Sequence, residues 1–381
     1  MDLNQLLLEL TKGLAGIAQS PGNLIMLAVG AGLIFLAVAK EYEPVLLLPI
    51  GFGCILANIP LNGMGPSADY PHGMFTVLYE AGIMTELFPL LIFVGVGAMI
   101  DFSPLLAQPK MVLLGAAGQF GIFGTLVLAT LLGFPLDQAA SIGVIGAIDG
   151  PTSIFVATKL APELLAPIAV AAYSYMSLIP IIQPPIMKLL TTREERLIRM
   201  DYAPRPVSQR AKIIFPIVVV VVVGLLVPDA TPLISMLMLG NLLKESGVVE
   251  RLNKASQNEI INIATLFLGL TVGSTMAAAS FLKLETLAVL ALGLIAFVLD
   301  TVAGLLFGKL VSRLSGGKIN PLIGAAGISA FPMAGRLAAR VAADEDFDNF
   351  ILMHAMGANT AGQLGSVMAG GVLLALVLGI M

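Results

Sequence analysis

The 381-residue chain is 57% hydrophobic and only 12% charged, with a formal net charge of −4 and a mean hydropathy of +0.96. A soluble domain carries about 25% charged residues, so these figures exclude a soluble globular protein and predict an all-α polytopic membrane protein. Forty glycines and 23 prolines predict close helix contacts and interrupted helices, while the weak alternation of a transmembrane barrel is absent.

In chain order, the first stretch, "MDLNQLLLELTKGLAGIAQS", lacks a basic region ahead of a cleavable apolar core, so it does not read as a signal peptide. Leu3, Leu6, Leu7, Leu10 and Leu14 share one helical face, which predicts either an interfacial helix or an extension of the first span. Apolar runs at 22–39, 43–59, 81–100, 111–133, 138–160 and 163–190 complete a first transmembrane repeat over 1–190. Residues 191–212 hold Arg193, Arg196, Arg199, Arg205, Arg210 and Lys212, six of the twenty basic residues, and read as a cytoplasmic loop. A second repeat, 213–381, offers spans at 213–228, 230–246, 258–282, 285–310, 319–334 and 349–380. Some of these are half-spans, and the total is ten to twelve. Cys54, the single cysteine, reads as a small packed residue.

The two halves look related. "LLGAAGQFGIFG" at 113–124 recurs as "LIGAAGISAFPM" at 322–333, and a polar interruption follows each copy, "GAIDGPTS" at 146–153 and "GANTAGQLGS" at 357–366. The span count between the copies is odd, which predicts repeats inverted in topology, with broken helices meeting near the midplane.

Four constellations carry chemistry. An ionised Asp149 mid-membrane costs at least about 2.5 kcal/mol even on mild insertion scales. Gly150 and Pro151 free backbone carbonyls beside it, and Thr152 and Ser153 add hydroxyl oxygens. Hard oxygens around one carboxylate suit Na⁺ or a proton. In "NPLIGAAGIS", Asn320 and Ser329 either cap and back-bond their own chain or mirror the Asp149 break. In "HAMGANTAGQLGS", Asn359, Thr360, Gln363 and Ser366 can share a face, as helix glue or as ion ligands. Arg336 and Arg340 lie one turn apart after an apolar half-helix, either gripping a carboxylate at a pore mouth or answering the acids at 344–348. Asp300 reads as a buried acid, paired in the bundle or on a proton path. Tyr175 either reaches the Asp149 site or packs as an ordinary aromatic. No Walker loop, dinucleotide fingerprint or Cys/His metal cluster appears, so chemical energy must arrive on a partner.

Taken together, "GAIDGPTSIF", "NPLIGAAGIS" and "HAMGANTAGQLGS" resemble the integral-membrane β subunit of the biotin-dependent, Na⁺-pumping decarboxylases, along essentially the whole chain. That resemblance implies decarboxylation of carboxybiotin coupled to Na⁺ export across the cytoplasmic membrane, with a proton consumed. The carboxybiotin would arrive on a biotin carrier protein loaded by a cytoplasmic carboxyltransferase subunit, and a small single-span membrane subunit would accompany a homo-oligomeric membrane part in lipid. No nucleic-acid partner is expected. The family's ion-site residues fall on Asp149, Asn320, Gly324, Ser329 and Asn359, its tyrosine on Tyr175 and its arginine on Arg336. Thr152, Ser153 and Ser366 are added from local spacing. Catalytic roles then go to Asp149, Tyr175 and Arg336, and Na⁺ to Asp149, Asn320, Ser329 and Asn359. The competing reading is a Na⁺- or H⁺-coupled secondary transporter of a carboxylate anion without chemistry.

Overall fold

The computed structural model describes residues 13, 16–17, 20–60, 64, 73–200 and 206–380. The leucine face at 3–14 and Arg205 lie outside the described residues. The first half runs α1 (Gly22–Ala39), α2 (Pro44–Ala57), α3 (Leu87–Met99), α4 (Met111–Ala117), α5 (Phe120–Leu131), α6 (Leu136–Gly143), α7 (Gly150–Leu160) and α8 (Leu165–Leu190). The second runs α9 (Gln209–Leu226), α10 (Thr231–Ser246), α11 (Ile261–Ser274), α12 (Leu284–Leu314), α13 (Met333–Glu345) and α14 (Leu352–Ile380). Among the described residues, shorter elements lie between them, including helical turns at Met74–Leu78 and Glu250–Ala255 and 3-10 turns at Val144–Ala147 and Pro321–Gly327.

Among the described residues, five stretches are long and apolar enough to cross a membrane by themselves, rising to seven when each of two bent helix pairs counts as one. That is fewer than the expected ten to twelve, a total that counted half-spans as well. Prolines explain one bend: α8 turns by 62° between Met176 and Leu178, where Pro180 offers no amide and crowds the carbonyl one turn back. Two expected spans are reorganised. Residues 138–160 divide into α6, a 3-10 turn and α7, and the 319–334 run is a 3-10 turn followed by non-helical backbone, with α13 starting only at Met333. The interruption expected at 357–366 is absent, because α14 passes through it as unbroken helix.

Between lipid-solvated helices there is little hydrophobic drive, so close approach by small residues does the packing. The two GAAG segments meet at the centre. A Cβ on Gly118 would lie 2.3 Å from the Gly327 carbonyl oxygen, and one on Gly362 would lie 2.2 Å from the same atom. Gln119 knits the junction, its amide donating to the carbonyls of Gly115 at 3.1 Å, Gly327 at 3.2 Å and Gly362 at 3.3 Å. On one side α12 packs against α5, α8 and both 3-10 turns; on the other α14 packs against α4, α7 and α13. The two non-helical breaks are thus enclosed by protein, the setting in which irregular backbone is tolerated at membrane depth.

Candidate cation site and its mouth

Asp149 stands at the turn between two short helical pieces. Ile148 takes the left-handed conformation, φ 51°, and Asp149 is extended, so the chain re-enters helix at Gly150 with Pro151 in the first turn, where a missing amide costs nothing. The Asp149 carboxylate caps α7. It accepts from the Thr152 amide at 3.4 Å and the Thr152 hydroxyl at 2.8 Å. From α14, the Gln363 side-chain amide donates to it at 2.9 Å and the Ser366 hydroxyl at 3.0 Å. Gln363 and Ser366 share a helix face by their three-residue spacing. Asp149 is 4% exposed, so donors from both halves of the chain replace its hydration.

Further hydroxyl and carbonyl oxygens line the two breaks. The Ser153 hydroxyl donates to the Asp149 carbonyl at 2.9 Å and the Val144 carbonyl at 3.3 Å. Ser329, on the second break, directs both its amide and its hydroxyl to the Ala147 carbonyl. The Asn359 amide donates to the Ile328 carbonyl at 2.6 Å, while its own carbonyl oxygen is buried and has no hydrogen-bond partner among the described residues. An uncompensated buried acceptor one helical turn from Gln363, which itself donates to Asp149, is the kind of group a hard cation satisfies. A cavity of about 540 Å³ opens onto the site, lined by Asp149, Tyr173, Ser329, Gln363 and, at its rim, Arg336.

Residues 22–377 match the family model described as the Na⁺-transporting oxaloacetate decarboxylase beta subunit. The chain belongs to this family. It is 55% identical over 361 residues to the methylmalonyl-CoA decarboxylase subunit beta of Veillonella parvula, covering 95% of each chain. The glutaconyl-CoA decarboxylase subunit beta of Acidaminococcus fermentans is 53% identical, again over 95% of both. The oxaloacetate decarboxylase beta chain of Klebsiella pneumoniae is 48% identical over 426 residues, 97% of this chain and 98% of its own. All three relatives are named as decarboxylase subunits, which favours the decarboxylase reading of the sequence over a carboxylate transporter without chemistry.

Of the residues singled out in this β-subunit sequence, the structure brings Asp149, Thr152, Ser153, Ser329 and Asn359 together, with Arg336 on the same cavity. It holds three others elsewhere. Asn320 caps the 321–327 turn by accepting from the Leu322 amide at 3.0 Å, and its own amide donates to the carbonyls of Arg196 and Ile198 at 3.0 and 2.9 Å. It thereby pins the basic loop rather than facing Asp149. Gly324 is pressed against α12, where a Cβ would meet the Gly304 carbonyl oxygen at 2.0 Å. The Tyr175 hydroxyl donates to the Leu290 carbonyl on α12. Tyr173 lines the cavity in its place, packed so tightly on Gly150 that a Cβ there would fall 2.0 Å from the ring. Two residues apart on one helix, the tyrosines point to different sides, and only the helix's orientation distinguishes them.

Asp300 sits directly behind the break. The Gly121 amide donates to its Oδ1, while Oδ2 is buried without a hydrogen-bond partner among the described residues and lies beside Gly146, where a Cβ would come within 3.2 Å of it. Glu86, just ahead of α3, pairs with Lys159 at 2.9 Å.

Proposed function

We propose that this β subunit binds Na⁺ between the two breaks and uses decarboxylation of carboxybiotin to drive its export. The observation that carries the reading is the buried Asp149 carboxylate, held by Thr152 from the first half and by Gln363 and Ser366 from the second. A site assembled from both halves changes geometry when one moves against the other, as alternating access requires. Asp149, Ser329 and Asn359 supply oxygen ligands, joined by carbonyls the breaks leave free and by Thr152 and Ser153.

Carboxybiotin arrives on a biotin carrier protein, loaded by a cytoplasmic carboxyltransferase subunit. It presents its carboxylate to Arg336 at the cavity rim, where a guanidinium can hold two oxygens at once. The C–N bond breaks, CO₂ leaves, and the bonding pair stays on the biotin nitrogen, which takes up one proton. Tyr173 and Asp149 are the cavity's own candidates to relay that proton as Na⁺ departs. Tyr175, Asn320 and Gly324 act from outside the cavity, by fixing α8 on α12 and the second break on the basic loop. The loop, 191–212, faces the cytoplasm under the positive-inside rule, the two repeats are inverted, and the membrane part is a homo-oligomer with a small single-span subunit. Moving one charge against 100 mV costs about 2.3 kcal/mol, a load that CO₂ release can carry.

The test uses the complete complex in proteoliposomes, following ²²Na⁺ uptake on addition of the acyl substrate. Asp149→Asn keeps the side chain's shape and loses its charge, and is expected to abolish coupled uptake. Undiminished uptake would contradict the site.

A further inference from the structure

One face of α13, the segment 346–351 and the first turn of α14 enclose a groove of about 360 Å³, lined by Arg336, Arg340, Phe347, Asn349 and Phe350 among others. Phe347 is 82% and Phe350 74% exposed. Exposed phenylalanines on a membrane protein ordinarily face lipid, yet these two are set in a charged end of the molecule. Phe347 stands between Asp346 and Asp348, which both pair with Arg199, at 2.7 and 3.8 Å. Asn349, just before Phe350, donates to the carbonyls of Arg196 and Ile198. Carboxylates and guanidinium groups packed this closely belong in water, so the two rings are an apolar patch at an aqueous surface, the kind of feature that marks a contact site.

The arginines of the groove are equally unmatched. The acids of 344–348 that form ion pairs give them to Arg193, Arg196 and Arg199, and among the described residues neither Arg336 nor Arg340 has such a partner. Two unpaired guanidinium groups beside two exposed aromatic rings select an acidic protein surface carrying an apolar residue, since arginine and aromatic side chains are the usual anchors of protein contacts. The groove also shares Arg336 with the Asp149 cavity, so a partner seated in it holds whatever it carries at the cavity's rim.

We infer that this groove is the docking surface for the biotin carrier domain, through an acidic face on that domain; the inference rests on the decarboxylase reading above. Arg340 supplies the charge contact, Phe347 and Phe350 the apolar one, and Arg336 receives the carboxylated end.

The experiment separates docking from chemistry. The membrane part, in nanodiscs, is titrated with the purified biotinylated partner subunit, and Na⁺-dependent decarboxylation of free carboxybiotin is measured alongside. Arg340→Glu and the double variant Phe347→Ser/Phe350→Ser are expected to weaken partner binding by about tenfold or more, as loss of an interface anchor does. Turnover of free carboxybiotin should stay within about twofold of the parent, and Arg340→Lys should recover most of the binding through its retained charge. Unchanged partner affinity in both variants would overturn the inference. So would a change confined to the dependence of activity on anionic lipid, which would make the groove a headgroup site. Equal loss of free-carboxybiotin turnover and partner binding would also count against it, since the groove would then belong to the reaction centre. Binding is read without turnover, so a parent protein inert toward free carboxybiotin would speak against the decarboxylase reading and leave the docking result standing.

Discussion

A carboxylate enclosed by membrane helices is tolerated when its lone pairs are occupied, and Asp149 has four donors in reach, two of them from Thr152. Those from α14 are the informative pair, because they tie the acid to the other half of the chain. Hydrogen bonds to a charged group contribute about 1.5–3 kcal/mol each. Gln363→Ala or Ser366→Ala should therefore raise the Na⁺ concentration for half-maximal decarboxylation by about tenfold, read from rate against Na⁺ at constant ionic strength. An unchanged Na⁺ dependence in both would remove α14 from the site. Much of this was legible in the residues themselves. Asp-Gly-Pro-Thr-Ser announces a charged break in an apolar run, and Gln363 and Ser366 fall on one face with Asn359. What spacing alone does not reveal is which way a helix is turned. The sequence cannot choose Tyr173 over Tyr175, and nothing around Asn320 tells that its amide reaches loop carbonyls more than a hundred residues away.

At the level of elements, the breaks matter more than the spans. Helices α4 and α5 are separated by two residues, and their junction rests on the Pro321–Gly327 turn and on α14 through bare backbone. A side chain at that crossing has nowhere to go, since the obstructing atoms are carbonyls rather than flexible side-chain ends. Gly362→Ala and Gly327→Ala are expected to destabilise the fold by about 2 kcal/mol or more, seen as a lower thermal midpoint in detergent. Gly32 is the contrast, since a Cβ added there would meet nothing within 4 Å. Gly32→Ala should leave the midpoint unchanged or slightly higher, given alanine's better helix propensity. Hydropathy located nearly every segment, but it counts apolar residues and cannot tell a crossing helix from a 3-10 turn and a non-helical stretch of similar composition. The run at 319–334 is apolar because it is buried in protein, and 357–366 is polar because it faces the site, not because the helix stops there.

On the scale of the whole molecule, the basic loop is fastened to the second break through Asn320 and to the end of α13 and to α12 through ion pairs. The Arg196 guanidinium reaches Glu345 at 2.7 Å and Arg199 reaches Asp346 at 2.7 Å, while Lys309 on α12 pairs with Glu195 at 3.2 Å. Hydrogen bonding from Arg196 holds Glu345 below the usual carboxylate range, and that from Arg199 does the same for Asp346. A folded-state pKa below the unfolded one stabilises the latch fully above the ordinary carboxylate value of about 4, and the contribution is lost as pH falls through the depressed value. Hydrogen exchange of residues 191–199, corrected for intrinsic rate, should therefore stay flat from neutral pH to about 5 and rise below about 4. Arg196→Gln should expose the loop already at neutral pH. A profile that rises near neutrality instead would assign the latch to other groups. Because α13 carries Arg336 near its start and Glu345 at its end, the same latch sets the position of the cavity's rim.

Asp149 as the cation's anchor is tested without turnover by equilibrium linkage. A ligand bound only by the folded state stabilises it by about 2.7 kcal/mol at a hundredfold excess over its dissociation constant. The thermal midpoint of the purified complex is followed as Na⁺ replaces choline at fixed ionic strength. A midpoint that climbs with Na⁺ in the parent and stays level in Asp149→Asn is the predicted result. The same Na⁺-dependent climb in both proteins would contradict it.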